Sequence, residues 1–146
     1  MTDPTIHPFE TLTTPTGERV QIDQEMTPVV RELWSLGLMT TGCCQDVGEA
    51  TAGVRALRAK PLGYGGDGFI VYHRGWALLK LPIPDAMRLV ALLAETEAFG
   101  DRVRHPWRPG SWRTNVPLEP DGLADSALLH LPGEQISGLV DVLRAG

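Results

Sequence analysis

The sequence predicts an α+β fold: one domain built on a mixed β-sheet, with helices on one face. Three observations carry this. Apolar residues recur at helical spacing in two separate stretches, Val29–Leu36 and Met87–Leu93. Short apolar runs bounded by glycine and proline alternate with them and read as strands. Finally, residues 77–93, ALLKLPIPDAMRLVALL, match residues 127–143, ALLHLPGEQISGLVDVL, without a gap. Ala77, Leu78, Leu79, Leu81, Pro82, Leu89, Val90 and Leu93 each meet the same residue type fifty positions on. The physical content of that match is a strand, a proline corner and a helix packed back on the sheet, used twice.

Taken in order, residues 1–18 hold Pro4, Pro8 and Pro15 among threonines and read as an extended N-terminal arm. The domain proper spans 19–146. Glu18–Ile22 alternates polar and apolar residues, as a short strand does. Thr27-Pro28 supplies an N-cap and a proline at the first helical position. Gly37 closes that helix in the left-handed region, and Leu38 folds back on it. Leu38–Cys44 is then a buried strand. Residues 49–60 form a weak helix, interrupted by glycine. PLGYGGDG, residues 61–68, is too glycine-rich for a helix or strand interior and reads as a loop, with 63–68 a lid over a nearby site. FIVYH and WALLKLP flank Arg74-Gly75 as a hairpin. With Trp112–Leu118 as the strand before the second copy, each half becomes strand–strand–helix, over about 69–93 and 112–143. A twofold arrangement, internal or between two copies of the chain, fits such a duplication.

Composition narrows the function. The chain has 146 residues, 42% hydrophobic and 21% charged, with a formal net charge of -5. That acidity argues against a nucleic-acid partner, since phosphate binding wants a basic face. No apolar run has membrane-spanning length, and residues 1–18 lack the basic start and apolar run of a secretory signal. The only cysteines, Cys43 and Cys44, are adjacent and too close to bridge each other, so the chain suits a reducing cytoplasm.

Two stretches could carry chemistry. The first is TTGCCQDVGE, residues 40–49, at the end of a strand, where α/β sheets tend to bind ligands. Cys43 or Cys44 could act as a nucleophile if a histidine, with His73 foremost, served as base and Asp46 as orienting acid. The bland reading is two buried, inert thiols. Gln45, Asp46 and Glu49 are candidate ligand-binding residues. Adjacent cysteines lack the gap that structural zinc requires, so no metal set is assigned, and no cofactor is indicated. The second stretch is RHPWRPGSWR, residues 104–113. Its Arg104, Trp107, Arg108 and Trp112 could stack on or pair with a small anionic ligand or a protein partner. The bland reading there is a proline-stiffened loop whose arginines pair with acids.

ELWSLGLMTTGCCQD, followed by GWALLKLPIPDAMRLV, resembles small actinobacterial and actinophage proteins in which a helix ending L-W-x-x-G leads into T-T-x-C-Q-D. The likeness covers about residues 22–93 and implies no assigned activity. A second, shorter likeness is to tRNA wybutosine-type modification proteins, whose T-S-S-C-S-G motif also follows a helix. Gln45-Asp46 stand here in place of Ser-Gly. Together these readings predict a binding protein, with a cysteine-dependent enzyme and an RNA-modification accessory as alternatives.

Overall fold

Two leucine-rich strands lying side by side organise the chain. A computed structural model describes residues 7–57 and 67–146. In chain order the elements are β1 (Phe9–Thr13), β2 (Arg19–Asp23), α1 (Thr27–Ser35), β3 (Gly42–Cys44), α2 (Val47–Leu57), α3 (Asp67–His73), β4 (Trp76–Pro82), α4 (Ile83–Ala94), α5 (Gly100–Arg104), β5 (Arg113–Asn115), β6 (Leu118–Glu119), β7 (Gly122–Leu123), β8 (Ser126–Pro132) and α6 (Ile136–Ala145). The main sheet has the order β3-β4-β8-β5. The α+β class is as the sequence predicts. The sheet is antiparallel at every pairing, however, and not mixed.

β4 and β8 form the centre. Leu79 pairs with Leu129, Trp76 with Pro132 and Pro82 with Ser126. Side chains alternate along each strand, so Ala77, Leu79 and Leu81 share one face with Ala127, Leu129 and Leu131, all buried. Leu89 and Leu93 of α4, Val30 and Leu33 of α1, and Leu139 and Leu143 of α6 belong to the same core. Each strand stops at a proline, Pro82 or Pro132, and the chain turns there into a helix on this face. The strand–proline–helix unit thus occurs at both matched segments.

The strand expected before each unit differs. FIVYH is helical, as the latter part of α3, and no hairpin forms at Arg74-Gly75. β-propensity favoured a strand, but packing on α2 overrides it. Ile70 is buried while Val71 and Tyr72 are exposed, a helical pattern. Gly48 of α2 sits against the Ile70 carbonyl and the Arg74 backbone. In the second half, Pro117 cannot donate to a ladder, and only Arg113–Asn115 pairs with β8. Helices therefore cover both sheet faces. α1, α4 and α6 lie on the core face; α3 lies on the other, where the His73 ring packs 5.1 Å from His130.

The N-terminal region departs further from expectation. Residues 9–13, read as part of an extended arm, pair with β2, and Leu12 and Ile22 join the core. Thr27 is not an N-cap. A 3-10 turn at Gln24–Met26 precedes it, and its hydroxyl donates to the Asp23 carbonyl at 3.4 Å. Gly37 does close α1, at φ +79, with Leu38 N–H bonded to Leu33 O and Gly37 N–H to Trp34 O. The buried strand expected over Leu38–Cys44 shrinks to the half-buried edge strand β3. The loop over 61–66 lies outside the described residues, while Asp67 and Gly68 open α3. Among the described residues no helix is long and apolar enough to cross a membrane.

Two expectations test this packing. Gly48→Ala puts a methyl into the α3 backbone, which cannot retreat as a flexible side chain could. It should cost about 1–3 kcal/mol in chemical denaturation, whereas Gly68→Ala, facing open space, should be close to neutral. His130 is buried beside His73 and Arg113; burial chiefly, and then those two charges, lower its pKa from 6.5 to about 4. The unfolded chain binds the extra proton between those values. The stability from a neutral His130 is complete above pH 6.5 and is lost as pH falls toward 4. A His130→Leu variant should show a flatter loss of stability across that window than the parent chain.

Candidate functional site

The CCQD segment is built first of all as a junction. Cys44 ends β3, and Asp23 ends β2. The Asp23 carboxylate accepts the Gln45 N–H at 2.9 Å, which fastens the two strand ends together. Gln45 Oε1 accepts the Glu25 N–H at 3.3 Å. Asp46 Oδ1 accepts the Glu49 N–H at 2.9 Å, the N-cap bond of α2, and Asp46 Oδ2 accepts the Gly75 N–H at 2.9 Å. Gln45 and Asp46, expected as ligand-binding residues, thus spend their hydrogen-bonding groups holding four chain segments in place.

The two thiols face opposite ways. Cys43 pairs with Leu79 and packs on the core; Cys44 pairs with Leu78 on the far face. Both are pushed up to about 12, by burial above all. The Asp23 carboxylate raises both further, and a backbone bond from Asp46 offsets part of this at Cys44. A thiol held this high carries little thiolate near neutrality, which disfavours the cysteine-nucleophile reading. His73 does not supply the missing base. It packs on His130, and Cys44, Leu78 and His130 lie in one row across β3, β4 and β8. Two strand spacings, about 10 Å, separate the Cys44 and His130 backbones, and His73 packs on the His130 ring.

The histidine that does reach Cys44 is His7. Its Nδ1 lies 4.0 Å from Cys44 Sγ and 3.2 Å from Asp23 Oδ2. Its Nε2 lies 3.1 Å from Glu49 Oε1. That last contact is within ion-pair distance but lacks hydrogen-bond geometry, so among the described residues Nε2 has no hydrogen-bond partner although the side chain is only 3% exposed. Sequence reasoning missed His7 and Asp23. His7 lies where the chain reads as an arm, and Asp23 looks like an ordinary strand end. The β1–β2 register, which seats Phe9 opposite Asp23, is what brings them together.

Beside this cluster runs a groove in two contiguous parts of about 570 and 590 Å³ that share Glu25, Gly133 and Glu134. Gln45, Asp46, Glu49 and Gly75 line the first part, and Pro28, Ile136, Val140, Asp141 and Arg144 the second. Among the described residues no lysine or arginine pairs with Glu25 or Glu134. The wall is acidic.

The Arg/Trp loop is mostly engaged internally. Arg104 donates to Glu95 at 2.9 Å and to the Ala94 carbonyl at 3.1 Å; Arg108 pairs with Asp101 at 3.4 Å. Trp112 is buried edge-on to Phe99, its indole N–H bonded to Gln135 at 2.9 Å. Trp107 projects, 74% exposed, and Arg104 and Arg108 keep exposed surface beside it. Arg104, Arg108 and Trp112 therefore serve the loop's own structure.

Comparison with models of protein families, with curated proteins and with solved structures finds no match.

The thiols give a direct check. At pH 7 the folded chain should react with a thiol reagent at least roughly 100-fold more slowly than the denatured chain, whose cysteines titrate near the ordinary value of about 8.5. Labelling at the denatured rate would restore the nucleophile reading.

Proposed function

We propose that the chain is a binding protein whose acidic groove takes a basic, partly apolar segment of a partner protein. The single observation that carries this is the continuity of the two groove parts across Glu25 and Glu134. Glu25, Glu49, Glu134 and Asp141 are among its lining residues, with Pro28, Ile136 and Val140 as apolar members and Arg144, which pairs with Glu32, as its one cation. An extended segment carrying both cationic and aliphatic side chains matches that lining. A small anionic ligand does not, because each carboxylate near it would repel it. Affinity here comes from several exposed charge pairs, each contributing roughly 0.2–1 kcal/mol, together with the apolar contacts. It should weaken with salt. The resemblance of residues 22–93 to small actinobacterial and phage proteins fits an accessory role of this kind.

The test uses the full chain and a labelled peptide of alternating arginine and leucine, read by fluorescence anisotropy. The parent chain should bind it, and an aspartate–leucine peptide should not bind. Glu25→Lys with Glu134→Lys should weaken binding at least about tenfold, equivalent to about 1.4 kcal/mol. Both positions are exposed, so the fold should survive. Equal binding by the double variant, or no binding by the parent, would overturn the reading.

A further inference from the structure

Three side chains from three separate elements meet behind Glu49. His7 lies two residues before β1, Asp23 ends β2 and Cys44 ends β3. One ligating atom from each can be chosen so that all lie within 4.8 Å of one another. The backbone fixes these positions. Gln24 N–H bonds to Pro8 O at 2.8 Å beside His7, and Gln45 N–H bonds to Asp23 beside Cys44.

A tetrahedral zinc ion with bonds of about 2.0–2.3 Å holds its ligand atoms roughly 3.3–3.6 Å apart. The His7 Nδ1 to Asp23 Oδ2 distance is 3.2 Å, and Nδ1 to Cys44 Sγ is 4.0 Å. With all three ligand atoms within 4.8 Å of one another, small side-chain movements would seat an ion among them. The other side of the His7 ring completes the pattern. A metal-bound histidine almost always gives its second ring N–H to a carboxylate, carbonyl or water. Here Nε2 is buried, lacks a hydrogen bond, and faces Glu49 Oε1 at 3.1 Å. A simple His7–Asp23 hydrogen bond accounts for the Nδ1 side of the ring. It does not account for the unsatisfied nitrogen opposite.

We propose that His7 Nδ1, the Asp23 carboxylate and Cys44 Sγ bind one divalent ion of the zinc class, with Glu49 orienting the imidazole. Sulfur, imidazole and carboxylate together suit zinc, cobalt or nickel, and the sulfur selects against magnesium and calcium. Three protein ligands leave a fourth position for water or an incoming donor. Cys44 loses its proton on binding, so uptake releases a proton and strengthens as pH rises. Cys43, on the opposite face of β3, takes no part.

The assignment does not rest on the groove reading, and a spectroscopic readout keeps the two apart. The metal-free full chain is titrated with cobalt(II). One equivalent should bind, with a thiolate-to-cobalt charge-transfer band and the visible bands of a tetrahedral centre. Zinc should displace it, and millimolar magnesium should not. Cys43→Ser should retain the charge-transfer band, and Cys44→Ser and His7→Ala should lose it. Glu49→Gln should retain it with affinity reduced about 10- to 100-fold. Circular dichroism of each variant shows whether the fold is kept. No charge-transfer band with the parent chain, cobalt held without the sulfur, or a band that follows Cys43 would each overturn the site.

Discussion

The antiparallel pairing of β4 with β8 is the constraint on which the rest of the molecule hangs. Its midpoint is the Leu79–Leu129 pair, and these two residues are also equivalents in the sequence match. The register therefore has local twofold symmetry, with each strand's terminal proline opposite the other's first residue. A twofold axis normal to the sheet keeps the faces unchanged, so both prolines turn the chain toward the same side. α4 and α6 arrive on one face together and bury Leu89, Leu93, Leu139 and Leu143 against the leucines beneath. A slip of one residue would send Leu79 and Leu81 to the opposite face. The outer strands have less at stake. Among the described residues, β3 pairs only with β4, and β5 only with β8, over three residues each.

This centre was legible because its signals agree at every level. Alternation, proline stops and helical spacing all favour the same structure in 77–93 and 127–143, and the self-match repeats the argument. Gly37 was legible for the same reason, since a glycine followed by a leucine after an amphipathic helix has one low-energy use. Legibility fails where a local signal competes with a contact distant in sequence. Phe69–His73 has the composition of a strand, but Gly48 lets α2 approach so closely that a helix buries Ile70 better. Phe9–Thr13 has three threonines or charged residues in five and looks solvated. Only pairing with β2 makes Leu12 a core residue. The arginines of 104–108 announce a binding patch, yet Glu95 and Asp101, a few residues upstream, are already there to pair with them.

The candidate site shows the same division. The CCQD stretch was legible as a special place, and its chemistry was not. Gln45 and Asp46 look like ligand-binding residues because they are polar groups at a strand end. They are needed there because β2, β3, α2 and the turn before β4 converge and leave backbone N–H groups that require acceptors. Among the described residues, this junction leaves His7 Nε2 without a hydrogen bond.

Asp23 links that geometry to electrostatics. Its carboxylate raises both thiols in the metal-free chain, which reports a negative local potential. A potential that opposes a second anion favours a cation by the same interaction, and low-dielectric surroundings strengthen both effects. The Asp23 carboxylate that helps keep Cys44 a neutral thiol is also one of the three groups proposed to hold a positive ion. The acidic wall of the groove extends that potential outward through Glu49, which lines the groove on one side and meets the buried imidazole on the other. The cation site proposed at this end of the sheet draws on that one arrangement. Asp23 and Asp46, whose carboxylates fasten strand and helix ends, lie beside Glu49 there.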